Sequence, residues 1–336
     1  MAQSSKQSVR REPRIPDSPP VVTPVRNGVQ RPLWSVMIPV YNCSDYLLET
    51  LKCVLVQDTG PASMQIEVID DGSTDADVAA LVQEVGKGRI SYFRQEENVG
   101  SLRNFHTCLE RSRGHLIHIL HGDDLIRNGF YPRMQQLFEN HPSLGAGFCR
   151  YAYINEKGKT LYYQSAEMDH AGILDNWLER LCERQRIQYV AMVVKREVYE
   201  RLGGFYGVEY GEDWEMWVRI AAQYEVGYTP EVLAEYRKHY SSISGKFFLT
   251  GKNMMALETV MDRIQHYLPA HHRAVVMNTS RKFYAHYAIR VANALWKNFK
   301  HKRGASAQAL AAWNMSKDAG LLYKIIKLYT KITLNI

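Results

Sequence analysis

The sequence predicts an α/β fold, a doubly wound and mostly parallel sheet followed by a helical C-terminal extension. Apolar runs and helix-period stretches alternate with short links from Trp34 to about residue 139, as they do when crossover helices join parallel strands. Two of those apolar runs end in paired carboxylates, Asp70-Asp71 and Asp123-Asp124. Acids are thereby set at the carboxyl edge of the sheet, where open α/β folds bind ligands. From about residue 246 the reading is almost wholly helical.

Residues 1–32 are rich in Pro, Ser, Arg and Gln without apolar periodicity, which predicts a disordered tail. Trp34 to Val40 reads as a buried strand, followed by a helix over 45–56. Strand 65–69, helix 75–85, strand 90–94, helix 101–112, strand 115–120 and helix 127–139 come next. In Ile69-Asp-Asp-Gly-Ser73 the strand ends in two acids and a glycine turn, and Thr74 is expected to start the following helix. After Pro142 the pattern is mixed: strand 146–154, a hairpin turn at Asn155–Gly158, strand 160–164, helix 173–184 and strand 188–194. Helix 196–202 ends on Gly203-Gly204, a C-cap signal, before helix 213–224 and strands within 225–236. The expected organisation is a tail (1–32), an α/β domain (33–245) and a helical extension (246–336).

Bulk properties narrow the class. A hydrophobic fraction of 46% fits a soluble globular protein, and no apolar run reaches the eighteen residues of a membrane span. The N-terminus lacks the apolar core of a secretory signal, and the five cysteines are scattered without CxxC spacing. Reduced thiols in a cytoplasmic protein are expected. Charge is unevenly spread. Residues 270–336 hold twelve Lys/Arg against one acid and residues 1–33 hold six against two, so the body between them is net acidic. An acidic body disfavours nucleic acid as a partner. No GxGxxG follows the first strand and no Walker A sequence occurs, which excludes those two nucleotide-binding fingerprints. The histidines form no zinc constellation with cysteine, and His118, alternating along a strand with His115 and His121, reads as a core residue.

Five segments together resemble the family 2 glycosyltransferases: Ser35-Val-Met-Ile-Pro-Val-Tyr-Asn42, Val68-Ile-Asp-Asp-Gly-Ser-Thr-Asp75, Asn98-Val-Gly100, His121-Gly-Asp-Asp124 and Gly211-Glu-Asp-Trp214. The resemblance covers roughly residues 33–245. It implies a GT-A fold and transfer of a sugar from a nucleoside-diphosphate donor with inversion at the anomeric carbon. It also implies Mg²⁺ or Mn²⁺, hard cations suited to carboxylate and phosphate oxygens. By this resemblance Asp124 would ligate the metal, and Asp123 would share in coordination or contact the ribose. The place before them, often acidic in the family, is His121. Asp71 would hydrogen-bond the nucleobase and Tyr41 would stack on it, with Pro39 in the same loop. Asp70 is expected to bond turn amides instead. Asp213 would be the catalytic base at a helix N-terminus, with Glu212 and Trp214 toward the acceptor. His239, in Tyr236-Arg-Lys-His239, would contact phosphate or metal, and Arg103 would help position the nucleotide. A UDP- or dTDP-sugar donor and a glycan or lipid-linked acceptor are the expected partners, in surface polysaccharide synthesis.

Two rival readings are weaker. A nucleotidylyltransferase needs a glycine-rich, basic loop after the first strand, where this chain has Pro39-Val-Tyr-Asn-Cys43. A catalytically idle sugar-nucleotide-binding scaffold would have no use for Asp71, Asp124 and Asp213 together. At the far end, residues 319–333 form a basic amphipathic wheel. Lys324, Lys327 and Lys331 lie on one side, and Leu321, Leu322, Ile325, Ile326, Leu328, Tyr329 and Ile332 fill a broad apolar face. That face is expected either to pack on the protein or to lie in an anionic membrane surface on the inner side of the cytoplasmic membrane.

Overall fold

The structure, a computed structural model, describes residues 13–26 and 28–336. The first twelve residues of the expected tail lie outside the described residues. The rest of it is not a loose tail. Val22 is fully buried, Thr23 N donates to Glu110 Oε1, and the Thr23 carbonyl accepts from Arg196 Nη2 at 2.8 Å. Gly204 N and Gly207 N donate to the carbonyls of Pro20 and Pro16 at 2.7 and 2.8 Å. The polar composition misleads because this strap is held through its backbone groups, one apolar anchor and the Arg14 side chain, none of which gives a periodic signal.

Among the described residues ten strands form one sheet: β1 (Trp34–Val40), β2 (Met64–Asp70), β3 (Ser91–Arg94), β4 (Leu116–Ile119), β5 (Leu125–Ile126), β6 (Leu144–Ile154), β7 (Thr160–Tyr163), β8 (Gly172–Ile173), β9 (Met192–Lys195) and β10 (Glu225–Arg237). Their order is β3-β2-β1-β4-β9-β6-β10-β5, with β7 on β6 and β8 on β10. The long pairings, β1 with β2 and β6 with β10, are parallel, whereas the antiparallel ones span two or three register pairs each. All seven residues of β1 are buried, as a strand covered on both faces requires.

Helices α1 (Ser44–Leu55), α2 (Val78–Gly86), α3 (Ser101–Arg111) and α4 (Phe130–Asn140) connect the first half. Helix α2 starts at Val78, capped by Asp77, and not at Thr74. Thr74 N is already taken by Asn42 Oδ1 at 2.8 Å, which ties the β2 turn to the end of β1. In the second half α5 (Trp177–Glu183), α6 (Arg196–Leu202) and α7 (Glu212–Ala221) surround β9 and β10. The expected strand 188–194 is a 3-10 turn at Tyr189–Ala191 followed by β9, which runs antiparallel between β4 and β6.

The extension comprises α8 (Ile243–Thr250), α9 (Lys252–Ile264), α10 (Ala270–Phe299), α11 (Lys302–Met315) and α12 (Ala319–Leu334). It has no core of its own. Leu257 and Val260 of α9, Ala288 of α10 and Leu328 of α12 belong to one apolar cluster with Val22, Phe105 of α3 and Trp214 of α7. On α12, Leu321, Leu328 and Ile332 are buried against the protein while Leu322, Tyr323, Ile326 and Tyr329 are exposed. The broad apolar face of the wheel is thus divided between packing and solvent. No helix among the described residues is long and apolar enough to cross a membrane.

Candidate active site

The site lies where β1, β2, β4 and β10 end. Asn42, just after β1, takes a left-handed conformation (φ 48°), which asparagine tolerates better than most residues. It turns the chain so that Asn42 N donates to Ser73 Oγ at 3.0 Å. Pro39 is buried within β1, and its carbonyl accepts from Gly122 N. Tyr41 stands 48% exposed at the strand end, its ring free to cover a planar ligand.

The paired acids after β2 have separate partners. Asp70 Oδ1 accepts from Ser73 N at 2.8 Å, and Oδ2 is held by Tyr92 OH and Arg94, so Asp70 knits the turn as expected. Asp71 faces the start of α3. Its oxygens accept from Val99 N (2.7 Å), Gly100 N (3.0 Å) and Asn98 Nδ2 (2.8 Å). Burial pushes the Asp71 carboxyl up, and those two amides and the Arg14 charge offset it only in part. Arg14 belongs to the strap; it donates to Asn98 O and Oδ1. Arg103 donates to the Pro13 carbonyl at 3.0 Å, so the residue expected beside the nucleotide is engaged by the strap.

The second pair sits in the turn after β4. His121, Asp123 and Asp124 present one ligand atom each within 4.8 Å of one another, a grouping suited to a divalent cation. Asp124 is buried; its Oδ1 accepts from Arg237 N at 2.8 Å, while Oδ2 has no hydrogen-bond partner. His121 Nε2 is buried and likewise unpartnered. Two orphaned lone-pair donors at one point are costly unless a cation or proton satisfies them. Burial first, then the neighbouring Asp123, pushes Asp124 well above the carboxylate range. Burial acts upward on Asp123 too, but the hydrogen bond from His239 and the His121 imidazole outweigh it and hold this carboxyl low. Burial also favours the neutral, ligand-competent form of His121.

His239 Nε2 lies 2.9 Å from Asp123 Oδ2, and Nδ1 contacts Ser241 Oγ at 2.6 Å, which fixes the ring. Its ring packs on Tyr46 at 4.9 Å. Arg237 has no assigned role in the sequence reading, yet it braces this turn. Its Nε donates to Asp123 O at 2.8 Å, Nη2 pairs with Glu49, and the guanidinium lies over the Tyr46 ring. Proximity in sequence to His239 was the one signal available for it.

Asp213 occupies the first turn of α7, whose N-cap Gly211 is left-handed (φ 88°). Oδ1 accepts from Trp214 N at 2.7 Å and Oδ2 from Gln185 Nε2 at 2.6 Å. Burial raises its pKa to about 6, partly countered by these two hydrogen bonds. Glu212 is buried beside it, and burial with the Asp213 charge pushes it well up. Trp214 departs from expectation. Its indole is fully buried, donates to Leu181 O at 2.7 Å and packs on Tyr284, so it serves the core and does not face an acceptor.

Tyr189 joins the two halves. Its ring lies 4.6 Å from that of His121, and its hydroxyl donates to Glu212 Oε1 at 3.2 Å. A candidate metal group and a candidate base therefore stand on either side of one buried tyrosine.

A mixed sheet of this order, with paired acids at the ends of β2 and β4, defines a glycosyltransferase of the GT-A fold. The profile of glycosyl transferase family 2 matches residues 35–203, and the chain belongs to that family. It is 26% identical over 251 residues to an uncharacterised protein of Mycobacterium tuberculosis, covering 69% of this chain and 75% of that one. It is 30% identical over 209 residues to an uncharacterised glycosyltransferase of Rickettsia conorii, covering 60% of this chain and 32% of the relative, about a third of its length. Among solved structures, S. aureus TarS in complex with UDP-GlcNAc superposes with a TM-score of 0.59 at 15% identity, over 89% of this chain and 90% of that one. The mannosyltransferase PcManGT from Pyrobaculum calidifontis, in complex with GDP-Man and Mn²⁺, gives 0.55 at 17% identity, over 95% and 90%.

Proposed function

We propose that this chain is an inverting, metal-dependent glycosyltransferase that moves a sugar from a UDP- or dTDP-linked donor to a glycan or lipid-linked acceptor in surface polysaccharide synthesis. One observation carries the reading: Tyr189 touches both His121 of the His121–Asp123–Asp124 group and Glu212 beside Asp213, which supports donor and acceptor chemistry side by side. Tyr41 and Asp71 would hold the nucleobase. Asp123, Asp124 and His121, with His239 steadying Asp123, would hold Mg²⁺ or Mn²⁺. The bound cation would neutralise charge developing on the leaving diphosphate. Asp213 Oδ would accept the proton of the acceptor hydroxyl as that oxygen attacks the anomeric carbon from the face opposite the diphosphate. A base of pKa about 6 is ionised at neutral pH and still basic enough for this transfer. Structural neighbours in complex with UDP-GlcNAc, or with GDP-Man and Mn²⁺, support a nucleotide-sugar donor in general.

The exposed row Leu322, Ile326 and Tyr329 on α12 supports contact with an inner-leaflet surface that presents a lipid-linked acceptor, although the lysines of the helix lie away from that row and two of them, Lys324 and Lys331, reach His286 and Asn293 of α10. Vesicles containing anionic lipid should co-sediment the wild type more strongly than a Leu322→Ser/Ile326→Ser/Tyr329→Ser variant; equal sedimentation overturns this part. For the central reading, UDP is titrated calorimetrically with and without Mn²⁺. Mn²⁺-dependent binding is expected in the wild type and should vanish in Asp124→Ala. Affinity indifferent to Mn²⁺ in both would overturn the metal assignment, and a donor panel that yields no transfer would overturn the activity.

A further inference from the structure

Asp213 is held from an unexpected direction. Gln185 lies in the link between α5 and the Tyr189 turn, and its Nε2 donates to Asp213 Oδ2 at 2.6 Å. A glutamine amide can be flipped, but this one is oriented. Its Oε1 accepts from the backbone amides of Arg186 (2.9 Å) and Ile187 (3.3 Å), so the NH₂ end must face the carboxylate. The Gln185 main chain is fixed in turn by the extension. Gln185 N donates to the hydroxyl of Tyr284 on α10 at 2.9 Å, and the Tyr284 ring packs on Trp214, the residue after Asp213. Tyr284 is buried, and α10 packs against both α5 and α9.

We propose that Gln185 is the positioning residue of Asp213 and that Tyr284 of the C-terminal extension sets Gln185, making the extension a working part of the acceptor side. The proposal rests on the reading of Asp213 as the base. A carboxylate with one oxygen bound to Trp214 N and the other to Gln185 has its plane fixed. The groups facing Asp213 are Glu212 on the same helix, Tyr189 in the 3-10 turn, Tyr151 on β6 and Tyr284 on α10. None is a cation. Gln185 is therefore the side chain that favours the ionised base by direct hydrogen bonding.

The test needs no substrate. Full-length protein labelled with ¹³C at aspartate carboxyls is titrated by NMR, and the Asp213 signal is assigned as the one missing from Asp213→Asn. Gln185→Ala should move the Asp213 midpoint upward by about one pH unit, the size expected when a hydrogen bond to a charged group is lost. Tyr284→Phe, which keeps the ring and removes only the hydroxyl, should move it upward by less. A midpoint unchanged or lowered in both variants overturns the proposal. Transfer by Asp213→Asn at nearly the wild-type rate would instead remove Asp213 as base, a separate failure that this titration leaves visible.

Discussion

The two halves of the cleft are built in different ways. At the ends of β1 and β2 the anchors are largely backbone amides of turns: Asp70 accepts from Ser73 N and Asp71 from Val99 N and Gly100 N, while Asn42 N donates to Ser73 Oγ. On the acceptor side, Asp213 depends on the side chain of Gln185, as far away in sequence as Val99 is from Asp71, and Gln185 in turn on Tyr284, a further 99 positions on. The ends of β1 and β2 are thus held largely by backbone amides of turns, whereas base placement, like the bracing of Asp123 by His239, rests on side-chain contacts across the fold.

The sharpest break of this contrast is Asp213→Asn. Transfer should fall by about 10²–10⁴-fold, the range for losing a general base, while calorimetric UDP affinity stays near wild type. A parallel loss of UDP binding would mean that the two halves are not separable. On the donor side, His239→Ala removes the partner of Asp123 and should weaken Mn²⁺-dependent UDP binding by about 10–100-fold. The strap offers a third case. Val22→Ala should lower stability by about 2 kcal/mol in denaturant titration, since a fully buried Val loses its contacts. A smaller effect with its own sign comes from pH. Asp213 binds its proton more tightly folded (about 6) than its ordinary carboxyl value, so ionising it costs stability. That cost is absent at low pH and fully present above about 6. In metal-free buffer Asp213→Asn should therefore melt higher than wild type at pH 8, with the gap closing as pH falls through 6 toward 4. Leu322→Ser, on the exposed edge of α12, should change stability by only about 0.5 kcal/mol or less, even where it weakens vesicle binding.

The contrast also explains what could be read from the chain. The parallel sheet, the turn role of Asp70 and the core position of His118 follow from local pattern, because strand alternation, glycine turns and capping groups are short-range physics. The Asp123-Asp124 pair is equally legible, whereas His121, read only as standing in the place of an acid, joins the group in the structure. Gln185 and Tyr284 carry no local signal: one sits in an unremarkable link, the other on a helix whose apolar residues only look like packing. Trp214 was misjudged for the same reason, as neighbourhood to a base says nothing about which way an indole points. The strap was misjudged because backbone hydrogen bonds to Gly204 and Gly207 leave no imprint on composition.

The apolar cluster that runs from Val22 through α3 and α7 into α9, α10 and α12 has a thermodynamic meaning as well. Helices that complete another region's interior cannot melt ahead of it, because doing so would expose that interior to water. Removing the last ninety residues is therefore expected to strip the packing around Val22, Phe105 and Trp214, whereas the separate cluster of Trp34, Leu51 and Phe130 contains no residue of the extension.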